Sequence, residues 1–483
     1  MTPNTALQAW LPDMPPTTPG AITEIENLLP TSRGYAPDGA AAIGALYNDT
    51  AFPDRCWAAS LVKGASLTPV MLVTTLNKIY KVVGNTPTDI SRSGTAYTAF
   101  SVYGNWQFAA LGDDIIAASK KNTLQITSNV YTTAFADVTS GPKARTIASQ
   151  SDFIMLGDTA DESGWPYADG WWCSALGDAT DWTPDVATQC ARGRLTQTPG
   201  GIIRVIAYQN DLIFFKETSV IRASYVGAPQ IWAFTVLSTN VGLCGISAVT
   251  EMNGVLYWCG RDGFYRFDGA SIQKIGSAPW RWLTERSYNL LYANYTTAVT
   301  DPYRNVVRFF YVEKAVYLPG GHDVALSGGV AYHPETDRWG RFSSTAACAA
   351  TNHYEFFSGL DYVSLVLSYD VPIIVDLTDA KIKTFRGTPL YSSFTTGDVG
   401  DDEQASVLRG VRTRFYMAPT TSSATHYHRM TLDATPTTGD TAVRTDGKYD
   451  FTQSARWHRI KFGQTGPYEF GGFSVDASQG GKR

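Results

Sequence analysis

Seven carboxylates crowd one stretch of this 483-residue chain: Asp158, Asp161, Glu162, Asp169, Asp178, Asp181 and Asp185. They are interleaved with Trp165, Trp171, Trp172 and Trp182. Carboxylates among indoles could hold calcium, or could cleave a sugar stacked on the rings. The D-x-D-x-D-G spacing that wraps calcium is missing, and loop carboxylates are ordinarily just solvated. The stretch between Asp158 and Arg194 therefore reads as an ordered insertion, pinned by its tryptophans and holding no metal. His426 and His428 form an H-x-H pair, which in a strand shares one face as two metal ligands would. No third ligand stands near them in sequence, so they read as exposed strand histidines.

Other reactive arrangements are missing. No G-x-S-x-G elbow presents a nucleophile, and no Walker A loop cradles phosphate. The repeated S-x-D-x-G-x-x-W turn of propeller sialidases is also absent. Trp280-Arg281-Trp282 and Asp337-Arg338-Trp339 set Arg beside Trp, as in cation–π stacks and interface hot spots. Anchoring of a blade edge in the core is the preferred reading. The six cysteines, Cys56, Cys173, Cys190, Cys244, Cys259 and Cys348, include no Cys-x-x-Cys pair and suit neither zinc nor a disulfide framework. They read as reduced, mostly buried thiols of a protein made in a cytoplasm. No catalytic, cofactor-binding or metal residue is assigned, no cofactor is expected, and the chain does not read as an enzyme.

The elements that would position these residues announce themselves by repetition. Met252-Asn253-Gly254-Val255-Leu256-Tyr257-Trp258-Cys259-Gly260 is a turn followed by an apolar strand and a second turn, and Phe264-Tyr265-Arg266-Phe267 closes a hairpin before Asp268-Gly269. Weaker copies begin at Asn77, Asp114, Asp152, Asp211, Asn305 and Asp361. Their spacing of about 37 to 60 residues brackets the four-stranded propeller blade of about 40–50 residues. A hairpin burying one face cannot stand alone, whereas a ring of such sheets buries every face. The fold expected is all-β: an irregular β-propeller over 61–384, an N-terminal extended arm over 1–60 and a C-terminal antiparallel, sandwich-like β-domain over 385–483.

The flanks differ in character. Pro12, Pro15, Pro16 and Pro19 keep the arm extended, and such an arm lies either on a neighbour or on its own core. Val411–Tyr416, His426–Leu432, Arg456–Phe462 and Phe470–Val475 read as strands of the C-terminal domain. Residues 277–291 are the best helical candidate, with Leu283, Leu290 and Leu291 on one apolar face.

Composition narrows the function. Apolar residues are 44%, aromatics 13% and charged residues 17%, which suits a large core under a lightly charged surface. Net charge is −5 and the pI near 5.7, the opposite of a protein that grips DNA by its phosphates. Lys120-Lys121 is the only adjacent lysine pair. No window of about 18 uncharged apolar residues offers a membrane span, and no membrane insertion is expected. The first residues do not read as a secretory signal.

Several phrases occur in a telling order: Leu11-Pro12-Asp13-Met14-Pro15-Pro16, Glu26-Asn27-Leu28-Leu29-Pro30, Gly34-Tyr35, Asp181-Trp182-Thr183-Pro184, Tyr225-Val226-Gly227-Ala228-Pro229, Asp262 to Gly269, and Asp337-Arg338-Trp339. In this order they resemble the tail-hub, or nozzle, proteins of short-tailed bacteriophages, also called packaged-DNA stabilisation proteins. The resemblance runs over most of the chain. It implies a structural protein of the virion tail, a homohexameric ring that extends the DNA channel below the portal and its adaptor. It implies contacts with the portal–adaptor ring and with tail fibre or needle proteins, and transient, non-specific contact with genomic DNA. The rival expectation is a propeller that binds or degrades host glycan, with the 158–185 segment as its site.

Overall fold

The turn at Asn253-Gly254 has φ of 54° and 76°, and the turn at Ser151-Asp152 has 51° and 60°. Positive φ at both central residues matches the twist of two antiparallel strands, so such turns fold their flanking apolar runs back on themselves. A computed structural model of the chain describes residues 4–6, 9–43, 50–66, 68–83, 86–98, 105–160, 166–314, 325–356 and 367–479, and in it these hairpins build a ring. Strands account for 55% of the described residues against 4% helix. It is an all-β protein.

Five four-stranded antiparallel sheets follow one another over residues 58–89, 107–137, 144–194, 202–238 and 249–275. A sixth comprises Thr297–Asp301, Val306–Tyr311, Leu326–His333 and the start of the long strand Arg338–Phe356. The rest of that strand opens a seventh with Leu367–Asp376 and Ile382–Thr384. Ala42, from the opposite end of the chain, bridges Thr384 and adds the outer edge. We number these blades one to seven. In blades one to six the first strand pairs on one side only and stands nearest the axis.

The core is divided into clusters held between neighbouring blades. Leu72, Ile79, Trp106 and Ile115 fill the gap between blades one and two. Phe153, Leu212, Phe214 and Trp232 do so between three and four. Cys56, Val73, Cys348 and Ile373 do so between seven and one. Each such side chain, sealed from water, stabilises the ring by roughly 1.5–3 kcal/mol. The copies at Asp114, Asp152, Asp211, Asn253 and Asn305 each mark the hairpin into a blade's second strand. The copy at Asp361 lies outside the described residues except for its last residue.

The C-terminal residues form two packed sheets. Ser392–Thr396, Trp457–Thr465, Thr421–Arg429 and Thr437–Val443 make one, and Glu469–Gln479, Ser406–Met417 and Lys448–Asp450 the other. Phe394, Phe462, Phe470 and Phe473 fill the space between them, with the Phe394 and Phe470 rings 4.4 Å apart. The N-terminal segment joins both sheets: Ile22–Glu26 pairs with Ser392–Thr396, and Tyr35 pairs with Phe470. Leu28–Pro30 pairs with Tyr35–Pro37 and reaches Arg341 of blade six. Thus the segment read as an arm is woven into the chain's own sandwich and closes blade seven.

Two expectations are corrected. The 277–291 helix is a six-residue turn, Ser277–Trp282, followed by a π-helical turn over Leu283–Ser287. The wider π turn and the extended Tyr288 reset the phase, so Leu283 is buried while Leu290 and Leu291 are 47% and 88% exposed. The stretch from Asp158 to Arg194 is not an insertion. It carries strands Pro166–Cys173 and Ala191–Arg194 of blade three.

Candidate functional site

The acidic stretch dissolves as a site once its partners are seen. Asp158, almost fully buried, accepts from Lys120 Nζ of blade two at 2.8 and 2.7 Å. Burial pushes its carboxyl up, and Lys120 pulls it back. Asp169 accepts two bonds from Arg194, at 2.8 and 3.0 Å. Asp178, Asp181 and Asp185 each accept the backbone N–H two residues on, at 2.7, 2.9 and 2.9 Å, and so fold the loop. Trp182 pins that loop by donating from Nε1 to the Ala179 carbonyl at 2.9 Å. Trp171 and Trp172 lie in a strand. Asp161, Glu162 and Trp165 lie outside the described residues.

The histidines are not exposed strand residues. His426 is fully buried, and its Nε2 lies 2.9 Å from Nδ1 of His458 in the neighbouring strand. Its Nδ1 lies 2.9 Å from Gln453 Oε1, and His458 Nε2 lies 2.9 Å from Ser406 Oγ. Strand pairing sets His458 opposite His428, which brings it diagonally beside His426. Both nitrogens of His426 are thereby used within the protein. Among the described residues no His, Cys, Asp or Glu group is arranged to hold a metal. Burial lowers both imidazoles, His458 to about 4, so the pair is neutral near pH 7. His458 was missed because it stands thirty-two positions from His426, and only pairing register unites them.

The cysteines stay reduced, and five of the six are buried. Burial pushes the thiols of Cys173 and Cys348 up to about 12, far from the reactive thiolate range.

Four of the seven phrases quoted above, those with Asp13, Asn27, Gly34-Tyr35 and Trp339, meet at the junction of propeller and sandwich, while the other three lie in blades three, four and five. Asp13 accepts the backbone N–H groups of Arg281 and Trp282 at 2.9 and 2.8 Å. Asn27 Oδ1 accepts from Ser343 N and Oγ, while its Nδ2 donates to the Tyr391 carbonyl at 3.1 Å. The buried Tyr35 hydroxyl donates to the Trp339 carbonyl at 3.0 Å and accepts from Trp10 N at 3.0 Å. Trp339 itself stacks in the core against Phe264, Phe309 and Tyr332. Gly34 passes so close to blade-side backbone of the sandwich that a Cβ there would lie 1.9 Å from the Phe470 carbonyl oxygen. A buried ion cluster reinforces the seam: Asp38 accepts from Arg308 at 2.6 Å and from Arg304 at 2.8 Å, and Arg308 also donates to Asp301 at 3.2 Å. Removing one member would strand an uncompensated charge.

No family model matches the chain, and no curated protein matches it. Among solved structures, YCF48 from Cyanidioschyzon merolae aligns with a TM-score of 0.35 at 10% identity, over 69% of this chain and 96% of its own. Human WBSCR16 aligns at 0.33 and 8%, over 62% and 85%. An exo-β-1,3-galactanase from Phanerochaete chrysosporium aligns at 0.30 and 8%, over 91% and 99%. Likeness this slight carries no argument about activity. The chain's own sheets define it as a β-propeller joined to a β-sandwich.

Proposed function

We propose that this chain is a structural protein of a bacteriophage tail, the nozzle or hub ring that extends the DNA channel below portal and adaptor. What supports this is a single convergence. The separated phrases whose order resembles the nozzle family include those that lock the N-terminal segment, propeller and sandwich into one body, at Asp13, Asn27, Tyr35 and Trp339. A wall that retains a packaged genome must transmit load without yielding, and a triple junction of buried bonds suits that task.

In this reading six copies form a ring, bound above by the portal–adaptor ring and below by fibre or needle proteins. The propeller's own axis is not the conduit. The conduit is the axis of the ring. The net charge of −5 suits a wall that touches DNA without holding it. Of the carboxylates that motivated the glycan alternative, Asp158, Asp169, Asp178, Asp181 and Asp185 are occupied in turns and ion pairs.

Electron microscopy of the chain, alone and mixed with a portal–adaptor assembly, tests the proposal. Six-fold rings, or six copies seated on the adaptor, are expected. A chain that stays monomeric and never joins the adaptor would refute it.

A further inference from the structure

The hub of the propeller holds a cavity that the nozzle reading does not use. It encloses about 300 Å³ between the innermost strands, bordered by Trp57–Leu61, Gln107, Arg204, Thr250, Thr297 and the 348–350 segment, among others. The innermost strands of blades one, two, four, five and six line this space and pair within their sheets on one side only, so their outer edges set backbone N–H and C=O groups beside it. Ser60, Ser247, Thr250 and Thr297 add hydroxyls. Arg204 is the single charged residue among the described lining residues.

A local irregularity aims Arg204. Strand Ile202–Tyr208 of blade four shifts register between Ile202 and Arg204. Ile202 and Val205 pack between blades three and four, while Ile203 and Ile206 pack on the other side. One extra residue thus falls in the strand, as a bulge that re-aims a side chain requires. Strict alternation would have placed Ile203 and Val205 together.

Among the described residues the Arg204 guanidinium has no counterion. Its Nε is sealed from solvent and has no hydrogen-bond partner. The side chain as a whole is only partly buried, so the rest of the fork opens to the cavity. Burial lowers its pKa to about 10, and no nearby carboxylate contributes. It is still charged at pH 7. The fully buried Arg308 shows the usual remedy, with two aspartates against it. An isolated charge in such a place is costly unless something pairs with it.

We propose that the propeller hub binds a small oxyanion, a carboxylate or a phosphate, on the Arg204 fork, with hydroxyls and strand-edge N–H groups completing its shell. A planar fork of N–H donors matches both ligands. The volume admits an anion in the bulk of several waters. This proposal stands whether or not the chain is a tail nozzle.

Calorimetric titration of the full chain with sodium phosphate, and separately with sodium acetate, at fixed ionic strength tests it. Saturable one-site binding of at least one ion is expected, with Kd of about 1 mM or tighter. Preference for acetate marks the ligand as a carboxylate, and preference for phosphate marks it as a phosphate. Arg204→Met, similar in bulk, should bind at least tenfold more weakly. It should also melt no lower than the unsubstituted chain without anion, because an unpaired charge has been removed. Should Arg204→Met not fold, Arg204→Lys replaces it, keeping the charge but losing the fork, with the same tenfold loss expected. A chain that binds neither ion, or a substituted chain that binds as tightly, overturns the proposal.

Discussion

At the scale of single residues, burial sets the chemistry. His458 is 2% exposed and its imidazole is lowered from 6.5 to about 4. The unfolded chain therefore binds a proton that the folded chain refuses between those values. Stability from this group is complete above pH 6.5 and is lost as pH falls towards 4, by an amount on the order of 3 kcal/mol. The sandwich should loosen in mild acid before the propeller does, and His458→Gln should flatten its stability profile between pH 7 and 4. Urea melts followed by sandwich and propeller fluorescence would check this, and an unchanged profile in the variant would count against it. The H-x-H pair was legible in the sequence as a same-face pair. Its burial was not, because the neighbours that cover it, Gln453 and His458, come from a loop and from another strand.

At the scale of elements, the hairpins were legible and the long-range pairings were not. A turn residue with positive φ followed by an apolar run is a local signal, and the copies beginning at Asp114, Asp152, Asp211, Asn253 and Asn305 fall on second strands. Ala136–Asp137, a blade edge of two residues, leaves no such signal. Neither does Arg338–Phe356, one strand shared by two blades. The pairing of Ile22–Glu26 with Ser392–Thr396 spans nearly four hundred positions, and nothing local encodes it. Gly34 tests that seam. Since any Cβ there meets backbone rather than a movable side chain, Gly34→Ala should destabilise the sandwich by about 1–3 kcal/mol. Hydrogen exchange should rise across Tyr35–Pro37 and Glu469–Gln479 and remain low in blades two to four. Uniform or absent change would show that the seam tolerates the methyl group.

At the scale of the whole molecule, charge decides how it meets nucleic acid. Arg409, Arg412 and Arg414 lie exposed along Ser406–Met417, but Lys448 nearby is paired with Asp450 and Asp476, so the face is mixed in sign. Lys120, of the only lysine pair, is bound to Asp158. Duplex binding is therefore expected to be weaker than roughly 10⁻⁵ M at physiological salt, within the non-specific range. Fluorescence anisotropy across a salt series would measure it. Submicromolar affinity with a steep salt slope would make the chain a DNA clamp instead.

The stitching of both chain ends into one sandwich also governs timing during synthesis. Tyr35 emerges from the ribosome early, but its partner Phe470, in Glu469–Gln479, follows about 435 positions later. At about 5–20 residues per second, the wait is roughly 20 to 90 s. Blades can close one after another in that interval, since each uses sequence-local hairpins. Ile22 and Ile25 wait for much of that interval for their partner strand, Ser392–Thr396, although they end up almost wholly buried. A nascent chain thus carries a sticky leader until its partner strands have emerged. That makes the unfinished polypeptide a natural client of a holding chaperone.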